Sequence, residues 1–149
     1  MLGALVCALA LPTQAAGAVK TWHYSGMLTD DPTGPGIVSF DLVKKGGKKK
    51  ASNFAAEKIP ASCDNATLEA LLDFTGLDTA RVKKGRFHFR GESATGAVAK
   101  FSGRLSDHWR SVHGTVSWKG LILVGQTARN CETGKVNFTG SRTGIVTHR

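Results

Sequence analysis

Acidic residues are scarce in this chain. Eleven Asp and Glu stand against 20 Lys and Arg over 149 residues, a formal net charge of +9. The carboxylates that are present do not gather in the pairs that acid–base chemistry needs. Asp30 and Asp31 sit in a Pro/Gly turn, while Asp64, Glu69 and Asp73 are spread along one amphipathic stretch. No Gly-x-Ser-x-Gly elbow occurs, so the strained turn of the serine hydrolases is missing. Ser106-Asp107-His108 holds the residue types of a nucleophile triad, but triad members meet through the fold and not through adjacency. No glycine-rich loop follows a strand and opens a helix, which excludes phosphate cradles of the Rossmann or P-loop kind. Cysteine is rare as well, and neither Cys63 nor Cys131 has a second Cys or a His at metal-ligand spacing. The five His (His23, His88, His108, His113 and His148) are expected on the surface or in turns. The sequence therefore predicts no catalytic residue, no metal site and no cofactor.

Long apolar runs are nearly absent too. The exception is Met1 to Leu11, an uncharged run rich in Leu, Ala and Val. It is too short to cross a bilayer as a helix, which takes about 20 apolar residues. Pro12 and Gln14 interrupt it, and Ala16-Gly17-Ala18 offers a small-x-small site for cleavage after Ala18. Residues 1–18 are thus expected to be a signal peptide, although no Lys or Arg precedes the apolar run. A buried N-terminal helix is the alternative. A lipid anchor at Cys7 is not expected, because Val6 precedes it and the site falls inside the run. Residues 19–149 then form a single domain with no transmembrane segment, secreted, periplasmic or at the cell surface. An exported chain that keeps Cys63 and Cys131 is most simply disulfide-bonded; two free buried thiols are the alternative. The bridge would enclose 67 intervening residues and contribute about 4 kcal/mol in the chain-entropy account.

What is present is period-2 alternation. Three stretches fit Gly-x-apolar-x-aromatic-x-Gly: residues 85–91 (GRFHFRG), 114–120 (GTVSWKG) and 134–140 (GKVNFTG). Each is expected to be a strand with one apolar and one polar face, closed by turn glycines. Trp22 and Tyr24 alternate in the same way, as do Val38, Phe40 and Leu42. Asp30 to Gly36, with two Pro and two Gly, is a turn. Gly46-Gly47 supplies the positive φ of a hairpin tip between lysines. In the strand near 97–105, Val98, Phe101 and Leu105 are expected inward, with Gly103 weakening it or marking a bulge. Leu121 to Val124 is either a doubly buried strand or an apolar loop. Residues 66–74 are ambiguous: their apolar positions alternate, yet Ala, Leu and Glu favour helix. The fold class is all-β, an antiparallel sandwich or barrel of about eight or nine strands with at most one short helix.

On these residues the chain resembles a loose group of small exported bacterial all-β proteins of uncharacterised function. The shared pattern reads here as Gly85-Arg86-Phe87, Phe101-Ser102-Gly103-Arg104-Leu105, Gly114-Thr115-Val116 and Cys131-Glu132-Thr133-Gly134-Lys135-Val136-Asn137-Phe138, with Ile59-Pro60-Ala61-Ser62-Cys63 upstream. It covers most of residues 36–142. The resemblance implies the fold and the pairing of the two cysteines, tips 66–74 towards a strand, and implies no catalytic residue. Thr115-Val116-Ser117-Trp118-Lys119 also looks like a strand of the avidin-type barrels, a pointer to small-ligand binding.

The basic residues are the remaining lead. Lys44, Lys45, Lys48, Lys49 and Lys50 crowd the hairpin tip. Arg86, Arg90, Lys119 and Lys135 fall on the outward positions of the template strands. These nine are the candidate anion-binding residues of a non-catalytic, surface-associated binding module. The partner class is a polyanionic surface such as a cell-wall polymer; a basic face that serves solubility alone is the alternative. Specific nucleic-acid binding is not expected, because the aromatics that would stack on bases alternate inward. The alternative function is a barrel holding a small apolar ligand among Trp22, Trp109, Trp118 and the Phe residues.

Overall fold

The computed structural model describes residues 18–29, 36–64, 66–76, 79–93, 96–124 and 127–148. The expected leader, Ala18 apart, and residues 30–35 of the first turn lie outside them. The described chain is all strand: β1 (Val19–Leu28), β2 (Ile37–Lys45), β3 (Lys48–Cys63), β4 (Ala66–Phe74), β5 (Ala80–Arg81), β6 (Arg86–Glu92), β7 (Val98–Leu105), β8 (Ser111–Val124), β9 (Thr127–Glu132) and β10 (Val136–His148). All pair antiparallel within one sheet. Burial follows the sequence alternation; along β6 every second residue is buried, from Phe87 to Gly91. Gly46 and Gly47, at φ +54° and +77°, close the β2–β3 hairpin, the geometry a two-residue primed turn requires. Residues 66–74 form a strand because the β3 ladder outweighs local helix propensity. Ala61 opposes Leu68 and Ala56 opposes Leu72, and Ala70 and Leu72 are buried in the core.

The long β8 organises the rest. Its C-terminal half pairs with β9 (Lys119 opposite Glu132) and its N-terminal half with β10 (Val136 opposite Val116). Between the two ladders the register steps by one residue, so β9 and β10 are one return strand interrupted by a bulge. Gly134 sits in the bulge at φ +63°. Thr133 completes it: its amide donates to the Trp118 carbonyl at 2.9 Å, and its Oγ1 accepts the Trp118 amide at 2.8 Å. The Cys-x-x-Gly pattern is therefore a pairing device. On the other edge of β10 lie β1, then β2, then β3. Beyond the closed end of the β1–β2 hairpin, β3 meets β9 directly, Ser62 opposite Glu132 and Cys63 opposite Cys131. A disulfide joins these two opposed cysteines, with Cα atoms 4.1 Å apart.

The sheet folds back so that rings from β2 and β3 meet rings from β6 and β7. Phe40 lies 4.9 Å from Phe87, Phe54 4.4 Å from Phe89, and Phe54 5.2 Å from Phe101, centroid to centroid. Tyr24 stacks on Phe40 at 4.9 Å. The interior is filled by these side chains. The sheet path runs from β6 to β3, with β4 and β5 on the far edge of β3; among the described residues no ladder joins β6 to β4.

Four sequence expectations change. The template glycines are not all turn residues: Gly91, Gly114, Gly120 and Gly140 stand inside strands. A Cβ on Gly91 would come within 2.3 Å of the Phe74 ring, and one on Gly114 within 2.7 Å of the Phe138 ring. These positions seat rings. Gly103 is another such seat, beneath Phe87, and its pairing with Phe87 and Gly114 is regular. Val98 faces outward beside Lys119; the inward residues of β7 are Ala99, Phe101 and Leu105. Leu121 and Ile122 belong to the β8–β9 ladder, with Leu121 exposed.

Candidate functional site

The structure divides the nine candidate cations between two regions. The first is the β2–β3 tip. Across its turn Lys45 opposes Lys48, Lys44 opposes Lys49 and Val43 opposes Lys50. Lys44 also opposes Lys20 of β1, and Lys50 opposes Arg81 of β5. A surface cleft of about 460 Å³ is lined here by Lys48, Lys49, Lys50, Arg81 and Lys83, with Gly47 and Val82. Strand alternation splits the cluster by face. Lys44 follows the parity of the buried Phe40 and Leu42, Lys49 that of Ala51, and Lys20 that of Trp22 and Tyr24. These three turn to the inner side, whereas Lys45, Lys48, Lys50 and Arg81 turn outward.

The inner lysines meet aromatic rings. Lys49 Nζ lies 3.5 Å from the centre of the Trp109 ring, and Lys20 Nζ 5.7 Å from that of Trp22. The two tryptophans meet edge to face at 5.4 Å. Trp109 reaches this end from the β7–β8 turn in a left-handed conformation, φ +56°. Tyr24 Oη anchors it by donating to the Trp109 carbonyl at 2.8 Å. Burial lowers the Lys49 pKa, and the charge of Lys44 lowers it further. Burial also raises the Tyr24 pKa, opposed by the charge of Arg142.

The second region is the outer face of β6, β7 and β8. Cross-strand pairing arranges it in rows: Arg86, Arg104 and His113; then His88, Ser102 and Thr115; then Arg90, Lys100 and Ser117. His88 Nδ1 lies 2.7 Å from Ser102 Oγ. Arg90, Lys100, Lys119 and Lys135 line one cleft of about 430 Å³. Arg86 is two rows away from it, beyond the His88 row. Acidic neighbours moderate this face: Arg90 pairs with Glu92 at 2.9 Å and Lys119 with Glu132 at 3.9 Å. The ion pairs described for the molecule include none at the lysine tip.

Sequence reasoning missed Lys20, Lys100 and Arg104 as site members and named Trp109 only for the alternative apolar-ligand site, not beside the lysines. Lys100 and Arg104 were visible as the outward alternates of Phe101 and Leu105. Trp109 left no local signal, because it reaches Lys49 only through the fold. Ser106 Oγ accepts the amides of Arg110 and Ser111 at 3.2 Å, which makes it a turn-capping hydroxyl. His23 Nδ1 lies 2.6 Å from Asp41 Oδ1, and Asn53 Nδ2 donates to Asp41 Oδ2 at 2.7 Å. This chain of side chains ties β1, β2 and β3 together on the outer face. Among the described residues no three His, Cys, Asp or Glu gather as metal ligands, and no helix is long and apolar enough to cross a membrane. Comparison with protein-family models, with curated proteins and with solved structures finds no match in any of the three.

Proposed function

We propose that this protein is an exported, non-catalytic binding module that docks on a polyanionic polymer, such as a cell-wall polymer, through its lysine end. The observation that carries this is the clustering of cations there, among which no ion pair is described. Lys48, Lys49, Lys50, Arg81 and Lys83 line one surface cleft, with Lys45 paired across the turn from Lys48, and the ion pairs described for the molecule lie elsewhere. Such a concentration of one sign attracts a polyanion and raises its association rate. The Cys63–Cys131 disulfide is consistent with an oxidising compartment. The filled aromatic interior favours surface binding over capture of an apolar ligand inside the sheet.

Retention on immobilised heparin, read across a salt series, tests the reading. Binding is expected to fall steeply as salt rises, because exposed charges are screened within about 10 Å at 0.1 M. Changing the outward Lys45, Lys48 and Lys50 to Gln should remove about 1 kcal/mol per charge, roughly a hundredfold in affinity together. Salt-insensitive retention, or retention unchanged in the triple variant, would reject it.

A further inference from the structure

We propose that the inner side of the lysine end is a binding site for a phosphate monoester, held by Lys20, Lys44, Lys49 and Arg142 beside the Trp22–Trp109 pair. Lys20 and Lys44 lie on the opposite strand face from the outward lysines, Lys49 also borders the cleft that Lys48 and Lys50 line, and the row calls for a compact dianion rather than a long polymer.

Pairing places the cations. Lys20 opposes Lys44, and Lys44 opposes Lys49, so three ammonium groups stand in one row across β1, β2 and β3. Directly opposed residues in an antiparallel ladder have Cα atoms about 4.5–5.5 Å apart. Arg142 joins them on the same side: it opposes the inward Tyr24, and its charge is felt at the Tyr24 hydroxyl. Like charges placed directly opposite one another destabilise a sheet. Among the described residues, no ion pair is described for Lys20, Lys44, Lys49 or Arg142. Asp41, the acidic residue nearest in sequence on β2, alternates to the outer side and is held there by His23 and Asn53.

Two of the cations are also positioned. Lys49 lies over Trp109 and Lys20 over Trp22. The Trp109 backbone is itself fixed by Tyr24. Long lysine side chains normally lose rotamer freedom on binding an anion; here the rings have already restricted two of them. A phosphate monoester carries a charge of about −1.5 to −2 and three strong acceptor oxygens. A carboxylate brings one charge and two oxygens. Three cations in one row, with Arg142 further along the same side, match the charge of the phosphate and exceed the single charge of a carboxylate.

Because Trp109 carries Lys49 on its ring, the site reports its own occupancy. Inorganic phosphate added to the purified protein at constant ionic strength should change tryptophan emission saturably. Chloride and acetate at matched ionic strength should not. Lys44→Gln, which leaves the Trp109 contact in place, should weaken phosphate binding about tenfold or more, since a charge-assisted hydrogen bond is lost. Lys49→Arg keeps both charge and ring contact and should retain binding within a few-fold. The outward triple variant at Lys45, Lys48 and Lys50 should bind phosphate as the parent does, which separates this site from the polymer-docking reading. An unsaturable response, an equal response to acetate, or unchanged affinity in Lys44→Gln would each overturn the proposal. A thermal melt confirms that every variant compared is folded.

Discussion

At one end of β3 a covalent bond joins two opposed residues; at the other end opposed residues repel each other. Cys63 and Cys131 face one another where β3 reaches past the β1–β2 hairpin. Lys44 and Lys49 face one another at the opposite end of the same strand. The first arrangement secures the ladder where, among the described residues, two residue pairs connect β3 to β9. The second weakens its own ladder; Lys49 has a ring contact with Trp109, whereas no ring contact or ion pair is described for Lys44. A position that lowers stability without a packing reason is where a ligand is expected to supply the missing charge.

The largest effect should come from the disulfide. Replacing both Cys63 and Cys131 by Ala opens a loop with a sequence separation of 68 and should cost about 4 kcal/mol. For a domain of this size that is on the order of 15 °C in melting temperature. Urea and thermal melts of the double variant measure it. An unchanged midpoint would mean that the ladder alone holds this end, and the contrast between the ends would dissolve.

The glycines divide along a similar line. Gly114 is packed: an added Cβ would lie 2.1 Å from the Ser102 carbonyl oxygen and 2.7 Å from the Phe138 ring. Backbone cannot yield as a flexible side chain does, so Gly114→Ala should cost about 1–3 kcal/mol by overpacking. Gly47, at φ +77°, has open space around it. Gly47→Ala should cost about 1–2 kcal/mol, from backbone strain alone. Equal losses at the two positions, measured by denaturant unfolding, would show that ring-seating and turn glycines are not distinct classes.

The difference between these glycines marks how far the sequence could be followed. Alternation announced the strands, because a half-buried strand must alternate whatever its neighbours are. It also made the all-β class and the turn at Gly46-Gly47 legible. It could not tell a turn glycine from a ring seat, since the ring under which Gly91 sits comes from Phe74, on a strand that is not its ladder partner. Propensity failed to decide 66–74, where the β3 partner settles the matter. The site shows the same limit. Five lysines around a Gly-Gly turn were plain to see, and a two-residue turn already implies that Lys44 opposes Lys49. Their placement beside Trp109 was not visible, because a contact spanning 60 positions of chain is made by the fold alone.

The smallest effect bears on the charged end most directly. If the lysine row is uncompensated, removing its central member should stabilise the free protein. Lys44→Gln relieves repulsion with both Lys20 and Lys49, and directly opposed like charges cost roughly 0.2–1 kcal/mol. A gain in urea midpoint of that size is expected, while phosphate binding weakens in the same variant. The pH dependence carries a matching sign. The Lys49 pKa is lowered in the folded protein from its ordinary 10.5, by burial and then by Lys44. Between the lowered value and 10.5 the unfolded chain therefore binds more protons than the folded one, so this term makes stability rise with pH. Tyr24 acts in the opposite sense. Its pKa is raised above 10.0, so its contribution is complete below that value and is lost as pH rises through the folded pKa. A melt series approaching pH 10 from below isolates the lysine term, and Lys44→Gln should flatten its slope. A slope unchanged by the substitution would mean that the two charges do not feel each other, and the row would be three solvated lysines instead of one site.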